Sequence, residues 1–182
     1  MKAAIVALTR GYPKNRSLYD NLLKRNEYIY KNINSLRSSP LDLILFHEGN
    51  ISTDDQNYIK SHSSQNIKFK DVSKYFVIPD LKLEGEKKFS LGYRLMCRFN
   101  MYHIWDEVKE YSHILRVDED IEILNIDPNA FEYMKANEIH YMTGRLTKET
   151  HKLTNRTLPN YLIENTDMNV KKIYNHKNPY TN

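Results

Sequence analysis

The spacing of apolar positions changes along the chain, and each change marks an element. Residues 3–8 form a nearly continuous apolar run stopped by Gly11 and Pro13, the pattern of a strand over 2–9 covered on both faces. From Ser17, placed to cap a helix, Leu18, Leu22, Ile29 and Ile33 recur at helical spacing to about residue 36. A second buried strand occupies 41–47, entered after Pro40. Ser52 and Asp55 open a second helix in the manner of a capping box, and 67–72 reads as a third strand. The stretch 75–88 is charged, contains proline and has no period, which predicts a loop. Beyond it, Leu91, Leu95, Phe99, Ile104 and Val108 approach helical spacing over 90–110, and a fourth strand, 112–118, runs directly into Asp118-Glu119-Asp120.

Strands alternating with helices predict a mainly parallel sheet with helices on both faces, a Rossmann-like α/β domain over 1–174 followed by a polar tail at 175–182. Ligands of such sheets bind beyond the carboxyl ends of the strands. The first candidates are therefore Thr9 and Arg10, His47 and Glu48, and Asp118 to Asp120, with the fourth strand expected near the sheet centre. No Gly-x-Gly-x-x-Gly and no Gly-x-x-x-x-Gly-Lys-Ser/Thr follows any strand, so dinucleotide redox and P-loop chemistry lack their signatures.

Composition narrows the picture further. The 182 residues carry 27 Lys and Arg against 23 Asp and Glu, a net charge of +4 that is too small to argue for nucleic acid as a partner. A chain of this size can bury a sizeable core. No run approaches the roughly 20 apolar residues of a membrane-spanning helix, and the first strand is shorter than a signal-peptide core. With a single cysteine, Cys97, there is no internal disulfide, and a reducing, cytoplasmic location is the expectation. Cys97 itself reads as a small buried apolar residue.

Two clusters carry chemistry. Asp118 and Asp120, one residue apart where a strand ends, can turn toward one hard cation; their oxygen donors select Mn²⁺ or Mg²⁺, which commonly sits between carboxylates and substrate phosphates. The alternative is a solvated acidic turn. On the predicted helix 90–110, Arg94 and Arg98 stand one turn apart and present two planar forks suited to a diphosphate or a carboxylate cluster. The alternatives there are a solvated basic stripe, or an internal strut from Arg98 to Asp118 or Glu119.

At these residues the sequence resembles glycosyltransferase family 15, the fungal α-1,2-mannosyltransferases. Gly92, Tyr93, Arg94, Met96, Cys97, Arg98 and Phe99 match its Gly-Tyr-Arg-x-Met-Cys-Arg-Phe signature, and Arg116-Val117-Asp118-Glu119-Asp120 stands against its Arg-Val-Glu-Pro-Asp strand end. Ala7 to Arg10 is similar to the end of its first strand, and Asp127-Pro128, Tyr133-Met134 and Thr157-Leu158-Pro159 follow in order.

The resemblance implies a GT-A type fold, a divalent ion at Asp118 and Asp120, GDP-mannose as a donor bound with the help of Thr9, Arg10, Tyr93, Arg94 and Arg98, and retaining transfer to a glycan or glycoprotein acceptor. Glu119 replaces the family's proline, which predicts a looser turn and leaves open which two of the three carboxylates face the ion. The family continues beyond the equivalent of Asn182 and carries a membrane anchor that has no counterpart here, so a Golgi-lumen location follows by analogy alone. No catalytic nucleophile is assigned; Glu164 and Asp167 are late acids without a spacing argument. Two other functions compete: a non-catalytic sugar-nucleotide-binding module lacking the acceptor half, and a phosphoryl- or nucleotidyl-transfer enzyme using the same acids.

Overall fold

The structure is a computed structural model, and it describes residues 2–77, 90–143, 160, 163 and 164. The chain divides into two units, 1–139 and 140–182. The predicted tail at 175–182 lies outside the described residues, as does most of the predicted loop at 75–88.

The first unit runs β1 (Ala3–Leu8), α1 (Asp20–Asn32), β2 (Asp42–His47), α2 (Thr53–Ser61), β3 (Ile67–Asp71), α3 (Leu91–Arg98), α4 (Ile104–Glu107), β4 (His113–Arg116) and α5 (Ala130–Ala136). The four strands form one all-parallel sheet in the order β3-β2-β1-β4. Strand periodicity sorts the core into two layers. Ile5, Ala7, Leu43, Leu45 and Ile67 pack against Tyr19, Leu22, Ile29 and Ile59 on the side of α1 and α2. Ala4, Val6, Ile44 and Phe46 face Phe99, Ile104, Val108 and Tyr111 on the other side. With helices on both faces, the expected α/β architecture is the one observed.

Three details differ from expectation. The helix predicted over 17–36 is broken into a 3-10 turn at Arg16–Tyr19, α1, and a second 3-10 turn at Asn34–Leu36. Its cap is Asn15, whose Oδ1 accepts from the Ser17 amide at 3.1 Å and the Ser17 hydroxyl at 2.7 Å, so Ser17 is a donor to the cap. Because the first turn is 3-10, Leu18 falls off the apolar stripe and is 51% exposed, while Tyr19 takes the buried place. The helix predicted over 90–110 contains a π turn, Phe99–His103, between α3 and α4. Finally, β4 is not near the sheet centre: among the described residues it pairs only with β1 and forms one edge.

Ser52 caps α2 as expected, its Oγ accepting from the Asp55 amide at 3.1 Å. Ser90 caps α3 in the same way, through the Tyr93 amide at 3.3 Å. No helix among the described residues is long and apolar enough to cross a membrane.

Candidate active site

From β1 the chain moves outward through β2 to β3, then returns to place β4 on the other side of β1. The strand order therefore reverses at β1, and the carboxyl ends of β1 and β4 flank the crevice where open α/β sheets take their ligands. The residues leaving these two strands are Thr9 to Tyr12 and Val117 to Asp120. A backbone bond from Val117 N–H to Val6 C=O, at 3.0 Å, continues the pairing up to the acidic turn.

The loop after β1 is held from several directions. The Thr9 amide donates to Phe46 C=O at 2.8 Å, and the Tyr12 amide donates to the hydroxyl of buried Tyr19 at 2.9 Å. The Tyr12 and Tyr19 rings meet edge to face at 5.2 Å. Gly11 presses so closely on the loop after β2 that a Cβ there would lie 1.9 Å from the Asn50 carbonyl oxygen. The remaining two ties run to the acidic turn: the Arg10 amide donates to Glu119 Oε2 at 3.0 Å and the Tyr12 hydroxyl donates to Glu119 Oε1 at 2.8 Å. Glu119 thus binds the turn to its neighbour, correcting the expectation that replacing proline loosens it.

The flanking acids face outward. Asp118 is exposed and pairs with Arg116 at 2.7 Å, and Asp120 is exposed. Beneath the turn lies Arg25 of α1, only 1% exposed, whose Nη1–H reaches the Asp118 carbonyl at 3.4 Å and whose Nη2–H donates to Asn26 at 3.0 Å. Burial pushes the Arg25 guanidinium down to about 10 against the opposing pull of Glu119 and Asp118, which leaves it a cation at neutral pH. Burial, then the hydrogen bond to Glu119, raises the Tyr12 hydroxyl.

Of the other strand-end candidates, Thr9 is 2% exposed, and its Oγ1 and the Nδ1 of buried His47 have no hydrogen-bond partner among the described residues. Burial lowers His47, with Asp71 opposing, and raises Glu48, with Arg10 opposing. Arg10 itself is exposed at the rim.

Tyr93, Arg94 and Arg98 lie on α3, whose Leu95 is buried and which is followed directly by Phe99, packed on the sheet face opposite α1. Tyr93 and Arg98 are exposed and Arg94 is half-buried. The side chains of Asp118 and Glu119 are bonded by Arg116, Arg10 and Tyr12, and not by Arg98, for which an internal strut is one of the alternatives. Cys97 is half-buried rather than buried, because Leu95 and Phe99 on either side of it take the inward places instead. A cavity of about 580 Å³ opens at the other end of the sheet between Lys2, Pro40, Asp42, Arg37 and Glu132. Arg37 pairs there with Glu132 at 2.6 Å and Asp42 with Lys68 at 2.7 Å, and none of the four described strands points its carboxyl end there.

No family model matches the sequence, and no curated protein matches it. Solved structures do. Core-mannan synthase A from Aspergillus fumigatus, in its Mn/GDP form, superposes with a TM-score of 0.57 at 17% identity, over 76% of this chain and 40% of that one. The mannosyltransferase Ktr4p from S. cerevisiae gives 0.60 at 15% identity over 75% of this chain and 37% of that one. Its complex with GDP gives 0.58 at 14%, over 75% and 38%. The fold is of the GT-A type. The likeness to fungal mannosyltransferases expected from the 92–99 signature is met at the level of the fold, and the chain spans about two-fifths of the length of those proteins.

Sequence reasoning passed over Tyr12 and Arg25 and read Gly11 only as the stop of the first strand. Arg25 did carry a signal: it occupies the same stripe as Leu22 and Ile29, three residues after one and four before the other, where a charge is out of place.

Proposed function

We propose that this chain acts as a metal-dependent glycosyltransferase that takes mannose from GDP-mannose and transfers it, with retention, to a glycan or glycoprotein acceptor. The observation that carries the reading is the pairing, at the reversal of strand order, of a firmly held β1 exit loop with two outward-facing carboxylates, Asp118 and Asp120. The fold likeness to core-mannan synthase A in its Mn/GDP form and to the mannosyltransferase Ktr4p in complex with GDP supports it.

The donor set fits a hard divalent ion. Asp118 and Asp120 offer carboxylate oxygens, and among the described residues no group of three or more His, Cys, Asp or Glu is arranged to hold an ion unaided. Carboxylate oxygens suit Mn²⁺ or Mg²⁺, which take their remaining positions from phosphate and water. When bound, the ion supplies neutralisation of the charge developing on the leaving diphosphate. The protein's own groups do the rest. Thr9 and Arg10 hold the nucleotide at the mouth of β1, where a loop already fixed in place loses little entropy on binding. Arg94 and Arg98 present their forks to the diphosphate, with Tyr93 beside them on the donor side.

Calorimetric titration tests the reading. GDP and GDP-mannose are expected to bind with Mn²⁺ and to lose affinity when EDTA is added, and mannose transfer to a mannoside acceptor is expected to follow. Binding of nucleoside triphosphates without GDP-mannose would overturn it in favour of phosphoryl or nucleotidyl transfer. Tight GDP-mannose binding with no transfer to any mannoside would reduce the chain to a binding module.

A further inference from the structure

The three acids of the turn are equal in the sequence and unequal in the fold. Asp118 and Asp120 look outward, whereas both oxygens of Glu119 are committed to the loop after β1, Oε2 to the Arg10 amide at 3.0 Å and Oε1 to the Tyr12 hydroxyl at 2.8 Å. A cation seated on the two aspartates could recruit Glu119 only by displacing both donors. Behind the contact the arrangement is stiff: the Tyr12 amide is fixed by buried Tyr19, Gly11 abuts Asn50, and buried Arg25 stands under the turn with Glu119 and Asp118 as the charges acting on it.

We propose that Glu119 is a positioning residue and not a metal ligand: it clasps the loop after β1 to the turn after β4, so that the nucleotide-binding residues and the metal-binding carboxylates keep one fixed relation. The inference rests on the functional reading above. It assigns Tyr12 the matching half of the clasp, with Arg25 as the buried counter-charge below it. A nucleotide diphosphate held at one end by the loop and at the other through a metal on the turn is sensitive to the distance between them. The clasp sets that distance before the donor arrives, so ordering the loop is not charged against binding.

The test is a double-mutant cycle on the full chain with Tyr12→Phe and Glu119→Gln, both close in shape to the native residues. Three quantities are read: Mn²⁺ affinity of the free protein by electron paramagnetic resonance, GDP affinity at saturating Mn²⁺, and amide hydrogen exchange over residues 9–13 without ligand. Each single variant is expected to weaken GDP binding about tenfold, the worth of a hydrogen bond to a charged group, with Mn²⁺ affinity unchanged and exchange over 9–13 accelerated. The double variant is expected to be no weaker than Glu119→Gln alone, because the two residues form one contact. A tenfold loss of Mn²⁺ affinity in Glu119→Gln would overturn the proposal and make Glu119 a ligand. Additive losses in the double variant, or unchanged GDP affinity in both singles, would overturn it as well. If the wild type bound neither GDP nor Mn²⁺, the functional reading would fall, and the exchange data alone would decide the clasp: unchanged protection over 9–13 would refute it.

Discussion

Gly11 is where a single methyl group has the largest foreseeable effect. A Cβ would stand 1.9 Å from the Asn50 oxygen and 2.5 Å from its carbonyl carbon, both backbone atoms, so the loop after β1 must move to admit alanine. Gly11→Ala is expected to cost on the order of 1–3 kcal/mol of stability and to weaken GDP binding in parallel, measured by urea denaturation and calorimetry on one preparation. Asp120→Asn poses the opposite case. Asp120 is exposed, so the amide is expected to leave the melting temperature unchanged while abolishing Mn²⁺-dependent donor binding; near-wild-type affinity in Mn²⁺ would remove Asp120 from the site. At this scale the sequence was a partial guide. Strand ends could be read from apolar runs, and they led to Thr9, Arg10 and Asp118 to Asp120. The division of labour among the three acids could not be read, because it depends on Tyr12, whose contact with Glu119 spans 107 residues.

The helical segment after residue 90 shows why elements can be legible while their geometry is not. Leu95, Phe99, Ile104 and Val108 are separated by four, five and four residues, and all four are buried. Five residues advance an α-helix by about 500°, which would swing Ile104 roughly 140° off the face of Phe99. The π turn Phe99–His103 absorbs the excess and returns Ile104 and Val108 to the sheet. The extra residue is visible in the spacing once the turn is known. Gly92, at the start of α3, meets no atom within 4 Å of a built Cβ among the described residues. Gly92→Ala is expected to raise stability by up to about 1 kcal/mol through helix propensity. If the open space serves the donor, GDP-mannose affinity falls at the same time. At the end of α4, burial would push Glu107 up, yet bonds from Lys70, Lys74 and Tyr75 at 2.7 to 2.9 Å bring its carboxyl down to about 2. A carboxyl lowered in the folded state stabilises above its unfolded pKa and ceases to do so as protons bind. Wild type is therefore expected to lose on the order of 2 kcal/mol between about pH 4.5 and pH 2 through this group, a loss that urea midpoints would show reduced in Glu107→Gln.

For the whole molecule, the deciding feature is a reversal that no local pattern reveals. Alternating apolar runs and helices predict a parallel sheet with covered faces, and that is the architecture found; they do not say on which side of β1 the last strand falls, since pairing between Ala3 and His113 is a matter of tertiary packing. Because β4 pairs with the side of β1 opposite β2, the acidic turn meets the loop after β1 instead of closing a flat edge far from it. A ligand bridging the two should fasten the fold. Mn²⁺ with GDP at about 100 times its dissociation constant is expected to add about 2.7 kcal/mol, read as a rise of a few degrees in melting temperature, whereas GDP in EDTA leaves the transition where it was. The same topology imposes an order on biogenesis. While the chain emerges from a ribosome, β1 can meet β2 once residue 47 is free, but its second side, Ala3 to Val6, stays bare until residue 116 has been made. Through that interval of synthesis the nascent protein carries an apolar, unpaired strand edge of the kind that invites aggregation, and its site does not yet exist. That edge stays open for the time needed to translate roughly 70 further residues, and among the described strands the pairing of β1 with β4 is the last to form.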